Sequence, residues 1–327
     1  REEALGQTPR ILKSGRHGKP FYKNLWSRIS SGKPYRGTII NKKKNGELYW
    51  SEQTITPMKD DDGNITNFVS VLKDITELKK NQEQECRLRI AREVQQRLYP
   101  TTVSVPGLDI AGVAYPADET GGDYFDFISI PDGSLWIAVG DVSGHGIGSA
   151  LIMAQTRAYL RAFAKTESDP GKILARVNQE LHGDLDERQY VTLILAHVDL
   201  HERSLVYASA GHVSGYLLSP SGEIDYEMES TGIPLGFIHD CNYNKSEPIK
   251  LAPENIAVFL TDGVTEAKAP DETLFGFDRA LDLTNRHRQT NARQIVELLY
   301  QTVRYFCKNQ PQEDDITSVI CKVNPIP

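Results

Sequence analysis

The sequence has few cysteines, no long apolar run and no excess of positive charge, and each shortage excludes a class of protein. Its 327 residues include four cysteines that lie far apart without a Cys-x-x-Cys pair, so they exclude a zinc framework and indicate reduced thiols in a cytosolic protein. No apolar run approaches the roughly 20 residues of a membrane helix, and no secretory signal opens the chain. A net charge of −7 without a dense basic stripe argues against a nucleic-acid partner. We therefore expect a cytoplasmic protein without a membrane segment in this chain.

The chain does have carboxylates at the edges of its apolar segments. The clearest example is the stretch 135–146 (LWIAVGDVSGHG), which predicts a buried strand followed by glycines, where a backbone turns tightly or approaches a ligand. Three other acidic stretches border apolar runs in the same way. A single Asp-Gly pair is usually only a turn, but four such sites predict a shared acidic cluster. Its members are Asp123, Asp141, Asp262 and Asp314.

This acidic cluster suits hard divalent cations such as Mg²⁺ or Mn²⁺ rather than zinc. Four aspartates exceed what one Mg²⁺ takes, because that ion keeps several waters, but they suit two cations that share a bridging carboxylate. A cation pair activates water for in-line attack on phosphorus. Phosphoryl transfer then needs mainly positioning and charge neutralisation, so we assign no catalytic side chain.

Other chemistries fit the glycine-rich stretch around residue 144 less well. The residues DVSGH at 141–145 lack the first glycine of a serine nucleophile elbow. The residues GHGIG at 144–148 match neither a dinucleotide fingerprint nor a P-loop, because no Lys-Ser/Thr pair follows them. His145 and His212 are candidates for acid–base catalysis, but a lone loop histidine is more often structural.

The chain divides into three predicted parts. Residues 1–76 predict a helix at 21–30 and strands at 35–42, 47–56 and 65–75, with a hairpin turn at Asn45 and Gly46. Residues 77–100 predict a polar helical linker with apolar positions four residues apart. A dimeric coiled coil and a solvated connector both remain open for it, because the heptad signal is weak.

The third part, residues 101–325, predicts strands on both sides of a pair of helices. This order favours an α+β fold with two sheets packed face to face and helices outside. The predicted strands are 108–114, 124–130, 135–139, 190–199, 204–208, 215–218, 256–260 and 316–323, and the predicted helices are 150–165, 171–181, 277–286 and 292–306.

The N-terminal part resembles the C-terminal half of a PAS sensor domain. The resemblance rests on LGQTPRILKSG at 5–15, YRG at 35–37, NGELYW at 45–50 and KDITE at 73–77. It covers the family's long helix and last three strands, so it implies a partial PAS domain whose ligand is unknown. A small α+β docking module would give the same pattern.

The C-terminal part resembles the SpoIIE/RsbU type of bacterial Ser/Thr protein phosphatase, in the metal-dependent type 2C (PPM) superfamily. The resemblance runs from about residue 91 to residue 323 and implies an αββα sandwich with two Mg²⁺ or Mn²⁺ ions in its cleft. The motifs occur in order: GGDYFD at 121–126, GDVSGHG at 140–146, SAGH at 209–212, IPLG at 233–236, TDGVTEA at 261–267 and DDIT at 314–317.

The resemblance also implies metal ligands. Asp141 would bridge the two ions, Asp123 would complete one of them, and two further aspartates would complete the other. The implied ligands are the side chains of Asp123, Asp141, Asp262 and Asp314 and the carbonyl of Val142.

We also make predictions for three further positions near these motifs. Asp315 would support the ligands without binding metal. Val213 stands where the family usually has asparagine, which puts a substrate role for that loop in doubt. Asp126 shares a motif with Asp123 but lies three residues on, along the next strand, so we expect its replacement to have a smaller effect.

The resemblance implies a substrate and a regulator as well. The substrate would be phosphoserine or phosphothreonine on a small anti-sigma-factor antagonist of the STAS type. The PAS part would control the phosphatase through the linker, in a homodimer formed by linker and PAS. The alternative is a non-catalytic signalling adaptor that binds metal for structure. A kinase or cyclase would need a phosphate-cradling loop, which the sequence does not show.

Overall fold

The computed structural model describes residues 5–100, 103–186 and 188–325 and separates the chain into two units. The division falls between Leu88 and Arg89, inside the helix that the sequence predicts as a linker. Within the described ranges, no helix combines the length and the apolar character that crossing a bilayer requires.

The first unit has a helix packed on a three-stranded antiparallel sheet in the order β1-β2-β3. Leu25 and Ile29 of the helix pack with Ile39 of the sheet in a small core. The predicted helix, strands and hairpin are confirmed to within a few residues. The elements are a 3-10 turn (Pro9–Leu12), α1 (Lys19–Ser30), β1 (Tyr35–Lys42), β2 (Leu48–Lys59) and β3 (Ile65–Asp74).

Helix α2 (Thr76–Gln96) forms where the sequence predicts the linker. Two positions of its predicted apolar stripe, Ile90 and Val94, each keep more than half of their accessible surface, whereas Leu98 just beyond the helix packs on a core of the second unit. Gln95 is the one residue of the helix that is fully buried. Ile90 and Val94 are therefore left uncovered by the described part of this chain.

The second unit is an αββα sandwich of two five-stranded antiparallel sheets, which confirms the predicted fold class. One sheet has the order β10-β9-β12-β13-β4 and the other β11-β8-β7-β6-β5. The strands are β4 (Leu108–Tyr115), β5 (Tyr124–Ser129), β6 (Leu135–Val142), β7 (Val191–Asp199), β8 (Ser204–Ala210), β9 (Gly215–Leu218), β10 (Ile224–Met228), β11 (Ile249–Lys250), β12 (Ile256–Leu260) and β13 (Ile316–Val323).

Helices cover the outer face of each sheet. A core of side chains from α3 and α4 packs on the sheet that contains β6, and a core from α6 and α7 packs on the sheet that contains β12. A third core fills the space between the sheets. The helices are α3 (Ile147–Phe163), α4 (Pro170–His182), the single turn α5 (Asp262–Thr265), α6 (Gly276–Arg286) and α7 (Ala292–Phe306).

Strand β6 shows why these residues form a central strand. Leu135, Ile137 and Val139 face the other sheet, whereas Trp136 and Ala138 face the helices. Both faces are buried, so the sequence is continuously apolar rather than alternating.

The structure corrects several boundaries. Strand β6 does not end at Val139 but continues to Val142, because Asp141 and Val142 pair with Thr192 and Val191 of β7. The short strands β10 and β11 were not predicted. Four of the five residues of β10 are exposed, so it lacks the buried apolar pattern that marks the other strands.

Candidate metal centre

The four predicted carboxylates lie at one end of the sandwich, two from each sheet. Asp123 directly precedes β5 and Asp141 is near the end of β6, its paired neighbour. Asp262 opens α5 directly after β12, and Asp314 lies just before the neighbouring strand β13. One hydrogen bond connects the two pairs: the hydroxyl of Thr261, the residue before Asp262, donates to Asp123 Oδ2 at 2.8 Å.

The alternation of the strands selects which residues enter the space between the sheets. Phe125 and Phe127 of β5 face the other sheet, and so does Val139 of β6. Side chains two residues apart share a face, so Asp123 and Asp141 continue these inner rows. Asp126 belongs to the opposite face, beneath α3.

Two glycines allow the backbone to close tightly around the cluster. A Cβ atom on Gly122 would lie 2.4 Å from the Val142 carbonyl oxygen and 3.2 Å from Asp141 Oδ1. A Cβ atom on Gly263 would lie 2.0 Å from the Asp315 carbonyl oxygen. Both positions therefore require glycine, and the Val142 carbonyl is brought beside the Asp141 carboxylate.

The carboxylates repel one another. Burial, followed by the charges of Asp141 and Asp315, raises the pKa of Asp123 well above its ordinary value. Burial, followed by the charges of Asp262, Asp314 and Asp315, raises the pKa of Asp141 to about 7. Burial is also the main cause that raises the pKa values of Asp262 and Asp314. No lysine or arginine of the described residues is among the main influences, so either retained protons or a bound cation must balance the cluster at neutral pH.

These donors fit a hard divalent cation. The charge of Asp141 raises the pKa of Asp123, so the two carboxyl groups lie close enough for a bound cation to relieve their repulsion. Across the described residues, no three His, Cys, Asp or Glu side chains form by themselves a group that could hold a metal ion. Mg²⁺ usually takes one or two carboxylates and keeps several waters, so carboxylate pairs with the Val142 carbonyl are a sufficient donor set. The ligand assignments stay predictions.

Asp315 has the supporting geometry that the resemblance implies. It is buried, and its carboxylate accepts hydrogen bonds from the backbone N–H of Ala117 at 2.8 Å and of Asp123 at 3.2 Å. It therefore holds the loop that carries Asp123 against β13.

Sequence reasoning missed two contacts between the end of α2 and this loop. The Gln95 side chain donates to the Gly121 carbonyl at 2.7 Å and accepts from the Gly121 N–H at 3.1 Å. The Tyr99 hydroxyl donates to the Asp123 carbonyl at 2.8 Å. A glutamine in a polar helix carries no signal of such a role, because only the tertiary fold brings residues 26 positions apart together.

The two histidines contact neighbouring side chains and backbone of the second unit. His145 is exposed and pairs with Asp118 at 2.9 Å. His212 is buried; its Nε2 donates to the Leu260 carbonyl at 3.1 Å and its Nδ1 accepts from the Thr192 hydroxyl at 2.9 Å. The ring nitrogens of His212 thus join the loop after β8 to β7 of the same sheet and to β12 of the facing sheet.

Buried His212 predicts a pH-dependent stability. Burial lowers its pKa to about 4, whereas the unfolded chain has a value of about 6.5. The unfolded state therefore binds more protons, and stability falls as pH falls from 6.5 towards 4. Between pH 7 and pH 5 we expect His212 to account for a loss of about 2 kcal/mol.

Urea unfolding at both pH values, for the parent and for His212→Gln, measures this contribution. The variant is expected to lose less stability than the parent on acidification. An equal loss in both proteins would show that His212 is not the titrating group.

With this geometry, the chain can be compared with known proteins. The family model described as Stage II sporulation protein E (SpoIIE) matches residues 131–324, more than half of the chain, and a PAS domain model matches residues 1–77. The chain belongs to the SpoIIE family. Both resemblances stated from the sequence are thereby confirmed.

Relatives of this SpoIIE-family chain include phosphoserine phosphatases. RsbU of Bacillus subtilis is 29% identical over 74% of this chain and 71% of its own length. RsbP of the same organism is 22% identical over 72% of this chain and 57% of its own length, and IcfG of Synechocystis is 27% identical over 71% and 40%. The chain thus spans less than two thirds of two of these three relatives.

Solved structures show the same fold. The SiaA-PP2C domain of Pseudomonas aeruginosa has a TM-score of 0.66 and 25% identity, covering 74% of this chain and 98% of that domain. The SpoIIE phosphatase domain with a regulatory fragment from Bacillus subtilis has a TM-score of 0.56 at 13% identity, covering 94% and 76%, and shares the fold. Together these similarities support a protein phosphatase.

Proposed function

We propose that this SpoIIE-family protein hydrolyses phosphoserine or phosphothreonine on a partner protein and requires two Mg²⁺ or Mn²⁺ ions. The observation that carries the proposal is the cluster of carboxylates at facing sheet edges, without a compensating lysine or arginine among the main influences on their pKa values. The phosphatase domain would span residues 101–325, after a PAS-like part at 1–76 and a linker at 77–100.

Each residue has a distinct role in this proposal. Two divalent cations, when bound, lower the pKa of water and neutralise charge on the phosphoryl group. Asp141 would hold both ions, and the Val142 carbonyl and Asp123 would hold one of them. Asp262 and Asp314 would hold the other ion. Because these ligands come from both sheets, the cleft between the sheets positions the reaction.

Exposed apolar side chains near the cluster support a protein substrate. Ile147 and Leu151 lie one turn apart at the start of α3 and are exposed. The Tyr190 N–H donates to Ser143 Oγ at 2.9 Å, and the Tyr190 ring stacks on exposed Phe237 with centroids 5.1 Å apart. A protein surface around a phosphorylated residue can bury such side chains. A STAS-type anti-sigma-factor antagonist is the partner we propose, on the basis of the family resemblance.

The test is turnover by the purified chain. With MnCl₂ we expect hydrolysis of p-nitrophenyl phosphate and of a phosphoserine protein, both abolished by EDTA and restored by excess Mn²⁺. Metal binding measured by calorimetry without hydrolysis of either compound would instead establish the signalling adaptor.

Regulation through the linker is a further part of the proposal. Gln95 and Tyr99 contact the loop that carries Asp123, so a movement of α2 would reach the metal ligands. Ile90 and Val94 are exposed and available to a second copy of the helix. A switch needs only a few kcal/mol between its two states.

Changing Ile90→Asp with Val94→Asp tests the linker. We expect loss of dimer in light scattering, with Mn²⁺ affinity and turnover changing together. Leu98 stays unchanged because it packs on the core of the phosphatase unit, and exposed Glu93→Gln is the control. A double variant that matches the parent in all three measurements would leave the linker a passive tether.

We also propose a cytoplasmic location, which the cysteines support. All four carry free thiols, and two of them are buried. Cysteines that remain free thiols are typical of proteins in a reducing compartment.

A further inference from the structure

Thr261 uses its hydroxyl in an unusual way for its place in the fold. It occupies the N-cap position of α5, where a threonine side chain normally accepts a hydrogen bond from the first turn. No such bond forms here. The hydroxyl instead donates to Asp123 Oδ2 at 2.8 Å and accepts from the Thr317 N–H at 3.1 Å.

The residue is placed between the sheets by strand alternation. Ala257 and Phe259 of β12 belong to the core between the sheets, and Thr261 continues that row two residues further on. Its side chain is fully buried. The bond to Asp123 therefore crosses from one sheet to the other in a site shielded from water.

Asp123 is fixed at three points. Its N–H donates to Asp315, its carbonyl accepts from Tyr99, and Thr261 occupies one oxygen of its carboxylate. Fixing Oδ2 leaves Oδ1 as the carboxylate oxygen available to a cation. The buried Thr317 hydroxyl makes no hydrogen bond with the described residues, but it lies close enough to lower the pKa of Asp123.

We propose that Thr261 is a positioning residue that orients the Asp123 carboxylate for cation binding. Because Thr261 is also bonded directly to Asp262, it couples the ligands contributed by the two sheets. The inference rests on the proposed ligand roles of Asp123 and Asp262. A purely structural cross-link between the sheets is the competing explanation.

A pair of variants that differ by one hydroxyl separates these explanations. Thr261→Ser keeps the hydroxyl and Thr261→Ala removes it, while both lose the methyl group. Loss of a group that orients a metal ligand typically costs 10-fold to 100-fold in metal affinity. Calorimetry with MnCl₂ is expected to show such a loss for Thr261→Ala and less than about a 3-fold change for Thr261→Ser.

Thr284→Val is the matched control, since it removes another buried threonine hydroxyl, one that bonds within α6. Urea unfolding in EDTA reports the structural cost of every variant. Equal Mn²⁺ affinity of the Ser and Ala variants, both folded, would overturn the proposal and leave Thr261 a structural cross-link.

The binding measurement keeps this inference separate from the proposed phosphatase activity. A parent protein that binds Mn²⁺ without turnover overturns the activity, and the Ser/Ala comparison still decides the role of Thr261. A parent protein that binds no Mn²⁺ overturns both.

Discussion

Replacing Asp141 with asparagine is expected to lower turnover by several orders of magnitude while the fold survives. Asp141 lies beside the Val142 carbonyl, and the charges of Asp262, Asp314 and Asp315 all act on it. In the proposed site Asp141 would neutralise both cations, so its loss would leave each cation with too little negative charge. The measurement is kcat/KM with p-nitrophenyl phosphate over a range of MnCl₂ concentrations, with circular dichroism to follow the fold.

The metal-free protein is expected to gain stability from the same change. Because the folded-state pKa of Asp141 is raised to about 7, the folded state releases this proton later than the unfolded chain. Stability is therefore lost as pH rises towards 7, and at pH 8 a neutral asparagine removes a repulsion. Asp271→Asn, at an exposed position, is the control. Near-parent turnover of Asp141→Asn at saturating Mn²⁺ would show that the ligand assignment is wrong.

The central strands and the acidic cluster could be predicted because local sequence carries their signals. The apolar run of β6 is buried on both faces, and the carboxylates lie at the ends of such runs. The end of β6 was misplaced because Asp141 and Val142 stay in the strand through pairing with β7, which is a tertiary contact. A strand prediction based on apolar residues therefore ends before Gly140 and Asp141, although the strand continues through both.

Contacts between distant residues could not be predicted. Thr261 and Asp123 are 138 positions apart, and Asp315 and Asp123 are 192 apart. Strand alternation gives a partial signal, because Thr261 falls two residues after Phe259, in the row that faces the other sheet. This alternation predicts a contact only when it is known that the two sheets face each other, and that arrangement is seen only in the folded structure. No pattern in the sequence indicates that Gln95 contacts Gly121.

Asp126 shows how alternation separates two aspartates of one motif. It lies three residues after Asp123, on the opposite face of β5, where its side chain is fully buried beneath α3. Arg161 donates to it from Nε at 2.6 Å and from a second nitrogen at 2.7 Å, and the Tyr124 hydroxyl donates at 2.8 Å. Its role is therefore to fix α3 on the sheet rather than to bind metal.

Replacing Asp126 with asparagine is expected to destabilise the fold by about 3 kcal/mol, the lower end of the cost of removing one partner of a buried ion pair, because Arg161 is partly hydrated. The matched control is Asp282→Asn, because the exposed Asp282–Arg286 pair has the same 2.6 Å separation as Asp126 and Arg161. An exposed ion pair contributes less than about 1 kcal/mol to the free energy of unfolding. Urea unfolding in EDTA measures both changes.

From the sequence we expected that replacing Asp126 would have a smaller effect than replacing a proposed metal ligand. The contacts of Asp126 indicate that this holds for activity, whereas its effect on stability is large. Folded Asp126→Asn should keep Mn²⁺ affinity and turnover near the parent values at a temperature well below its midpoint. A variant with parent stability and reduced Mn²⁺ affinity would contradict this division, because it would place Asp126 with Asp123 among the residues that act on the cation. Loss of stability with retained Mn²⁺ affinity would instead show that Asp126 stabilises the fold without acting on the cation, although it lies only three residues from Asp123.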